Sequence, residues 1–458
     1  MKISFRLCTL VFAFILWGCS VNVPKQASDN SQIEGHPAWI MNGNIYEVNI
    51  RQYTEEGTFR AFSSRLSRLK FMGVQTLWFM PIHPISKTDR KGEMGSYYAV
   101  ADYTAVNPDY GTLDDWKHLV SEAHKMGFKV IIDWVPNHTG ADHRWLTTNP
   151  DFYLKNAEGK PTHPLNTDWT DIRKLEYTGP QAQQLADSMI AAMKYWIAET
   201  DIDGYRVDVA GELPKSFYQR AIPELRKMKN IFMLAEADQP WLHEVGFDAT
   251  YGWDAFHMMK RIAAGERKAS ALDTPVVIND RKFPPNSLRM YFTSNHDENS
   301  WNKADYATMP GAVHAPFAVL TQTLAKSVPL IYSGQEEPVT DSISFFYKDP
   351  IVFGRYLRAD FYRTLLGLRS RNAALAANAS FTRIGTGSDD QVYAFTRQNG
   401  ADKILVLTNL SDKPARFTIN NESISGHAKE VFTAKAKDFT ATATFELPAW
   451  GYQVYEYK

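Results

Sequence analysis

Three acidic side chains that follow predicted strands are the residues of this sequence best suited to catalysis. Asp208 ends the block GYRVD, Glu236 follows an apolar run that ends at Ala235, and Asp297 ends the block NHD. A glycosidic bond can be cleaved by one carboxylate that attacks the anomeric carbon and a second that protonates the leaving oxygen. A third carboxylate can stabilise the distorted sugar ring. A single acid at a strand end is more often a cap or an ion-pair partner, so the hypothesis depends on their joint placement.

Basic side chains stand in the same blocks as these acids. Arg206 precedes Asp208 by two residues, His296 adjoins Asp297, and His138 ends the block DWVPNH at residues 133–138. Each of them alone could be structural, because ion-pair networks resemble active sites. Their position beside carboxylates that follow separate strands favours a shared functional site.

Eight short apolar or β-branched runs, separated by amphipathic stretches, can position these residues. This alternation is typical of βα units around a parallel sheet, and eight such strands close a (β/α)8 TIM barrel of the α/β class. The predicted strands are 44–50, 74–80, 128–135, 202–207, 231–235, about 246–250, 288–293 and 328–332. The acids then lie at the C-terminal mouth of the barrel, where enzymes of this fold carry out their chemistry.

The barrel domain is predicted to cover residues 37–377, with an insert after its third strand. Thr112 and Asp115 match a helix capping box ahead of an apolar stripe. Residues 139–180 lose the helical periodicity and gather Pro, Asn, Asp and Trp, which predicts the insert. Residues 378–458 contain short strands separated by turn residues, which predicts a separate C-terminal antiparallel β-sandwich.

Composition points to a folded chain that acts on a neutral partner. The 458 residues contain 44% hydrophobic and 22% charged residues, and 50 Lys and Arg oppose 51 Asp and Glu. The net charge of -1 offers no broad attraction to nucleic acid, and we expect no nucleic-acid partner. Aromatic residues make up 13% of the chain, enough to supply stacking surfaces for sugars as well as core packing.

The N-terminus has the layout of a secretory signal. Charged Lys2 and Arg6 precede an apolar run, and the sequence Leu16-Trp17-Gly18-Cys19 resembles a bacterial lipoprotein box. We therefore expect residues 1–19 to be a lipoprotein signal peptide and Cys19 to be a lipid anchor to the cell envelope. Plain secretion, or a periplasmic protein, is the alternative. Residues 20–36 are polar and are predicted to form a flexible tether.

The ordered blocks DWVPNH, GYRVD, the glutamate after Leu234-Ala235, and NHD resemble the four signature regions of glycoside hydrolase family 13, the α-amylase family. That resemblance covers about residues 40–458 and implies retention of the α configuration. It implies the roles of nucleophile for Asp208, general acid/base for Glu236 and transition-state stabiliser for Asp297.

The resemblance also implies the binding residues. Arg206 would hold the nucleophile ionised, and His138 and His296 would hydrogen-bond the sugar in the first donor subsite. Tyr98, in the block SYYAVADY, would stack beneath that sugar. Trp145, Trp169, Trp241 and Trp301 stand near predicted mouth loops, where stacking on glucose units and core packing are equal alternatives.

One departure from the family concerns calcium. Many calcium-dependent relatives place a metal-binding aspartate in the insert, together with the asparagine that is Asn137 here. The corresponding stretch is Arg173-Lys174-Leu175-Glu176, so Lys174 stands near a usual ligand position. We therefore predict that no metal ion or other cofactor is required and that calcium at this site is doubtful. Lys174 and the sequence Asp208-Val209-Ala210 resemble the neopullulanase and cyclomaltodextrinase branch.

Three functional hypotheses follow. The first is an envelope hydrolase that cleaves internal α-1,4 bonds of starch or maltooligosaccharides. The second is a cyclomaltodextrinase, a neopullulanase-like enzyme or a transglycosylase. The third is a glycan-binding protein with an inactive barrel, which the presence of all three carboxylates argues against. The sequence makes no prediction about oligomeric state.

Overall fold

The fold is described from a computed structural model that covers residues 30–165, 167–303, 308–337, 339 and 341–457. The predicted signal peptide, the anchor residue Cys19 and most of the predicted tether lie outside these residues. Within them, no helix combines the length and apolar character needed to cross a membrane.

Eight parallel strands form the closed barrel that the sequence predicts. They are β1 (Ile45–Val48), β2 (Thr76–Phe79), β3 (Lys129–Trp134), β4 (Gly204–Val207), β5 (Phe232–Ala235), β6 (Ala249–Tyr251), β7 (Leu288–Met290) and β8 (Leu330–Tyr332). Each strand pairs with its neighbour in chain order, and β8 pairs with β1. Between β7 and β8 the ring is closed by backbone bonds from Val328 N–H to Arg289 O and from Leu330 N–H to Tyr291 O, both 2.9 Å.

Helices surround the barrel because each presents an apolar stripe to the strands. The longer ones are Phe59–Ser63, Leu66–Met72, Leu113–Lys125, Ala182–Thr200, Lys215–Arg226, Trp253–Ala263, His314–Thr323 and Ala359–Arg371. Shorter helical segments are Ala38–Met41, Ile50–Tyr53, Trp145–Thr148 and Trp241–Glu244. The predicted capping box is confirmed, since the Thr112 side chain accepts from Asp115 N–H and the Asp115 carboxylate accepts from Thr112 N–H.

An insert leaves the barrel after β3. Its strand His138–Gly140 pairs antiparallel with Ile172–Lys174, and Trp145 and Phe152 are buried between them and the barrel. The returning segment brings Asp168, Trp169, Asp171 and Ile172 to a cavity at the barrel mouth.

The segment just before the barrel differs from the predicted tether. Gln32–Ile33 pairs antiparallel with His36–Pro37, and the buried His36 Nδ1 lies 2.8 Å from Asp248 Oδ1. Because Asp248 immediately precedes β6, this contact fixes residues 32–37 to the N-terminal end of the barrel. Polar composition alone did not reveal that His36 has a buried acidic partner.

The C-terminal domain is the predicted antiparallel sandwich. Its strands are β9 (Ser380–Ile384), β10 (Val392–Asn399), β11 (Asp402–Asn409), β12 (Ala415–Asn420), β13 (Gly426–Glu430), β14 (Ala436–Phe439), β15 (Thr442–Leu447) and β16 (Tyr452–Tyr457). A six-stranded sheet has the order β9-β10-β11-β16-β13-β14, and β12 pairs with β15. Leu405, Phe417 and Phe445 belong to the core between the two sheets. Phe395 and Val406 pack instead on the barrel side, with Phe317.

Candidate active site

The three predicted carboxylates meet at the C-terminal mouth of the barrel. Asp208 follows β4, Glu236 follows β5 and Asp297 follows β7, and all three line one cavity of about 520 Å³. Tyr98, His138 and His296 line the same cavity. Arg206, the remaining predicted site residue, lies fully buried beneath it. The structure therefore brings every predicted site residue together, although their roles stay predictions.

Arg206 joins the acids into one network. Its Nη1 lies 2.9 Å from Asp208 Oδ1 and 2.8 Å from Asp133 Oδ1, and its Nη2 lies 3.0 Å from Glu236 Oε1. A buried guanidinium is tolerated when carboxylates surround it. One rigid cation thus fixes Asp208 and Glu236 relative to each other.

A strained backbone turn orients the general acid candidate. Val209 has φ 38°, a left-handed conformation that β-branched residues rarely adopt. This conformation points the Val209 N–H at Glu236 Oε2, 2.7 Å away. The strained turn thus helps to hold the Glu236 carboxylate in place.

Burial changes the ionisation of both carboxylates. It raises the pKa of Asp208 to about 6 against the opposing effect of Arg206. Burial raises the pKa of Glu236 further, to about 7, with the charge of Asp208 adding to the effect. Arg206 does favour the ionised nucleophile, as the resemblance implies, but burial outweighs it. Glu236 is therefore the carboxyl that keeps its proton nearer to neutral pH, as a general acid requires.

Asp297 is kept ionised by the histidine beside it. His296 Nε2 lies 3.3 Å from Asp297 Oδ2, and His296 Nδ1 lies 2.6 Å from Glu47 Oε1. Burial by itself would lower the pKa of His296, but the two carboxylates raise it well above the usual value. Burial would raise the pKa of Asp297, yet His296 holds it below its usual value.

Tyr98 and His138 form the rest of the polar lining. The Tyr98 hydroxyl donates to Asp133 Oδ2 at 3.1 Å and lies 2.7 Å from His296 Nε2. Burial and the nearby Lys174 lower the pKa of His138 to about 3, so this imidazole is neutral near pH 7. A neutral imidazole can both donate to and accept from sugar hydroxyls.

The fit of calcium to the insert can be tested at Asn137. Lys174 Nζ donates to Asn137 Oδ1 at 2.9 Å, so an ammonium occupies the direction in which this oxygen would face a metal. Within the described ranges, no cluster of three or more His, Cys, Asp or Glu side chains is arranged to hold a metal ion. Calcium requires several oxygen ligands, and the residues around Asn137 do not fit it.

Several site residues were missed by sequence reasoning. Glu47 lies within β1 and contacts His296, while Phe345 and Phe346 line the cavity from the loop after β8. None of them belongs to a block that stood out in the sequence. Glu47 could have been noticed as a charged residue inside an otherwise apolar strand.

Two of the four tryptophans near the mouth loops can stack on sugars, and the other two pack against protein side chains. Trp169 and Trp301 line the cavity and are 40% and 54% exposed. Trp145 is buried in the core, and Trp241 packs near the Tyr218 ring. Stacking on sugars is therefore available to Trp169 and Trp301.

The fold and the site together define a barrel glycoside hydrolase with paired carboxylates at its mouth, and comparisons with known proteins agree. The model of the α-amylase catalytic domain matches residues 26–173. An α-amylase of Dictyoglomus thermophilum is 25% identical over 88% of this chain and 75% of its own length. The crystal structure of a noncanonic maltogenic α-amylase from Thermotoga neapolitana superposes with a TM-score of 0.82 at 26% identity, covering 91% of this chain and 99% of that one.

A transferase resembles part of the same chain. An α-1,4-glucan:maltose-1-phosphate maltosyltransferase of Rhodospirillum rubrum is 30% identical over 49% of this chain and 36% of its own length. Together these similarities relate the chain to the α-amylase family, glycoside hydrolase family 13. The chain is a glycoside hydrolase, and retention of configuration is typical of that family.

Proposed function

We propose that this protein hydrolyses α-1,4-glucosidic bonds in starch, maltodextrin or maltooligosaccharides with retention of configuration. The observation that carries the proposal is the contact of one Arg206 guanidinium with both Asp208 and Glu236, two carboxyls of unequal pKa. Such a pair supplies an ionised nucleophile and a protonated acid at the same pH.

In the first step Asp208 attacks the anomeric carbon while Glu236 gives its proton to the glycosidic oxygen. The bond between carbon and oxygen breaks, the reducing-side sugar leaves, and a glycosyl ester of Asp208 forms. Asp297 stabilises the positive charge that develops on the ring. His138 and His296 hold the sugar hydroxyls.

In the second step the Glu236 carboxylate takes a proton from water, whose oxygen attacks the same carbon. The ester bond breaks and Asp208 is released as a carboxylate. Two inversions at one carbon restore the α configuration. If a sugar hydroxyl replaces water in this step, the same residues perform transglycosylation.

That second outcome supports an alternative proposal. The alternative is a cyclomaltodextrinase, a neopullulanase-like hydrolase or a transglycosylase, each of which would use the same carboxylates. The similarity to a maltosyltransferase supports this alternative. A glycan-binding protein without catalysis is the weakest proposal, because Asp208, Glu236 and Asp297 are all present and converge on one cavity.

We also propose that calcium is not required at the insert, because the Lys174 ammonium holds Asn137. For location, we propose a lipid anchor at Cys19 in the cell envelope, supported by the lipoprotein-like box in the sequence. Metabolic labelling with a fatty acid, compared between the natural chain and Cys19→Ala, tests the anchor. Equal labelling of both would refute it.

A product profile tests the activity. The chain from Ser20 is incubated with soluble starch, pullulan, cyclodextrin and maltoheptaose, with and without EDTA, and product anomers are followed by NMR. We expect α-anomeric short products from starch and maltoheptaose that persist in EDTA. Preference for pullulan or cyclodextrin would favour the alternative, and β-anomeric products would refute retention.

Two variants separate catalysis from binding. Asp208→Asn should lose at least 1000-fold in kcat, because the nucleophile is removed while the site keeps its shape. Asp238→Asn changes an exposed carboxyl two residues after Glu236 and is the matched control. Equal turnover by Asp208→Asn and its control would refute the assignment of the nucleophile.

A further inference from the structure

The order of the strands in the barrel indicates how a glucan lies in the cleft, that is, which end of the cleft holds its reducing side. This inference rests on the proposed function. Glu236 protonates the oxygen of the leaving sugar, so the reducing side of the substrate lies toward β5, which carries this residue. The ring of strands places β1 directly across from β5, with β2 and β8 on either side of β1. The donor side, toward the non-reducing end of the glucan, therefore faces the loops that follow β1, β2 and β8.

The loop after β8 is fixed on that side. Arg51 Nη1, in the helical segment that follows β1, donates to Phe345 O at 2.9 Å. Gln52 Nε2 donates to Ser344 O at 2.9 Å and to Tyr347 O at 2.7 Å. Buried side chains that bind several carbonyls hold a loop in one place. Residues 344–347 are thus a fixed strap across the end of β1.

The strap is joined to the loop after β2. Met94 N–H donates to Phe346 O at 2.9 Å, and Arg51 Nη1 also donates to Gly95 O at 3.0 Å. Gly92 lies so close that a Cβ there would be 2.5 Å from the Phe346 Cβ. No space remains between the two loops at this point.

Lys91 continues the connection to the insert. Its Nζ donates to the Asp168 carbonyl and lies 3.8 Å from Asp171 Oδ1. The loop after β2 is therefore bound to the strap on one side and to the insert on the other. Together these three segments surround the donor side of the cavity.

Aromatic rings cover the inner face of this enclosure. The Trp301 ring lies 5.1 Å from the Phe345 ring and 5.8 Å from the Phe346 ring. We call Lys91, Trp301, Phe345 and Phe346 the donor-end wall, and all four line the cavity. A wall at this end would stop a glucan chain that continues beyond the cavity in this direction.

We propose that the donor-end wall makes this enzyme attack the non-reducing end of α-glucans and release a mono- or disaccharide. A glucan whose non-reducing end reaches the wall fits, whereas an internal bond would require the chain to continue through it. This differs from the cleavage of internal bonds expected from the sequence, which contains no motif for a closed cleft.

Matched chromogenic substrates test the proposal. 4-Nitrophenyl α-maltoheptaoside is compared with the same compound blocked by an ethylidene group at its non-reducing end, and the shortened nitrophenyl glycosides are quantified by chromatography without a coupling enzyme. We expect at least 50-fold lower kcat/KM on the blocked substrate. From maltoheptaose we expect one kind of released sugar, a mono- or disaccharide, together with the correspondingly shortened chain. Comparable turnover of both, or mixed products at the earliest times, would overturn the proposal.

Variants that open the donor-end wall provide a second test of the proposal. The double variant Trp301→Ala/Phe346→Ala should gain at least fivefold on the blocked substrate relative to the unblocked one. Tyr347→Ala is the matched control, since this exposed ring of the strap does not line the cavity. The melting temperature of each variant shows that it is folded, and an unchanged substrate ratio in a folded double variant would overturn the role of the wall. If the natural chain turns over neither the blocked nor the unblocked substrate, the proposed function is refuted, and this inference with it.

Discussion

Replacing Asp133 by asparagine should shift the acidic limb of the pH profile to lower pH. Asp133 Oδ1 and Asp208 Oδ1 contact the same Arg206 nitrogen at 2.8 and 2.9 Å, and both carboxyls are buried. The charge of Asp133 raises the pKa of Asp208. Removing that charge should let Asp208, the proposed nucleophile, ionise more readily.

The size of the shift follows from the geometry. Two oxygens bound to one nitrogen lie less than about 6 Å apart, and two charges at that distance repel by about 3 kcal/mol at an effective dielectric constant of about 20. That energy corresponds to about two pKa units. Burial also raises the pKa of Asp133 to about 6, so it is only partly ionised when Asp208 titrates. We therefore expect the limb to move down by about one unit.

The assay is kcat/KM on 4-nitrophenyl α-maltotrioside from pH 4 to pH 9. At pH 5 the variant should keep about fivefold more of its own plateau activity than the natural enzyme keeps, since a carboxyl with a pKa near 5 is half ionised there. Asp203→Asn is the control, because Asp203 is buried just before β4, where it accepts from Val130 N–H far from the mouth. An acidic limb that stays in place or moves upward in Asp133→Asn would refute the reasoning.

Three further substitutions test the surroundings of the site. Lys174→Ala should lower the free energy of unfolding by about 1–3 kcal/mol in urea titrations, because Asn137 Oδ1 loses a charged partner, and added calcium should not restore it. Glu47→Gln should lower the pKa of His296 by about one unit in ¹⁵N NMR titrations, since a charge-assisted hydrogen bond becomes a neutral one worth about 1 kcal/mol less. Trp169→Ala should raise KM about three- to tenfold with little change in kcat, because an exposed stacking surface of the cavity is lost.

Each of these substitutions has a matched control. Lys155→Ala removes an exposed ion pair in the same insert and should cost less than about 1 kcal/mol. Asp248→Asn disturbs the equivalent buried pair with His36 at the opposite end of the barrel and should leave the His296 titration unchanged. Trp241→Ala removes a ring that does not line the cavity and should leave KM unchanged. A control that matches its test variant would contradict the corresponding prediction.

The barrel could be predicted because its strands are buried on both faces. Runs such as residues 128–135 are almost continuously apolar, and all eight predicted strands overlap observed ones. The strands of the C-terminal domain gave a weaker signal. The sequence predicts strands at 391–397, 403–409, 415–419, 440–447 and 452–457. It misses β9, β13 and β14, because most of their side chains are exposed or half-buried and show little apolar pattern. Short, exposed strands of this kind are specified mainly by the sheet that they join.

The catalytic candidates could be predicted because each follows a strand of a parallel barrel, which brings such positions together at one end. Glu47 could not, since it lies inside β1 and gains its role only through His296, far along the chain. The donor-end wall could not be predicted for the same reason, because it depends on contacts between residues far apart in the sequence. Phe345 is placed by Arg51, and neither helical nor strand periodicity connects residues so distant in sequence.

The raised pKa of Glu236, the proposed general acid, results from an imbalance of buried charge. The network at the mouth joins five carboxylates to two basic side chains: Glu47, Asp133, Asp208, Glu236 and Asp297 with Arg206 and His296. If all five were ionised, the buried site would carry three uncompensated negative charges, which a low-dielectric interior strongly disfavours. Protons are retained instead, and the pKa of Glu236, about 7, is the highest of the three catalytic candidates. Removing any one carboxylate should therefore weaken the hold of Glu236 on its proton, so that the alkaline limb of Asp133→Asn also moves to lower pH.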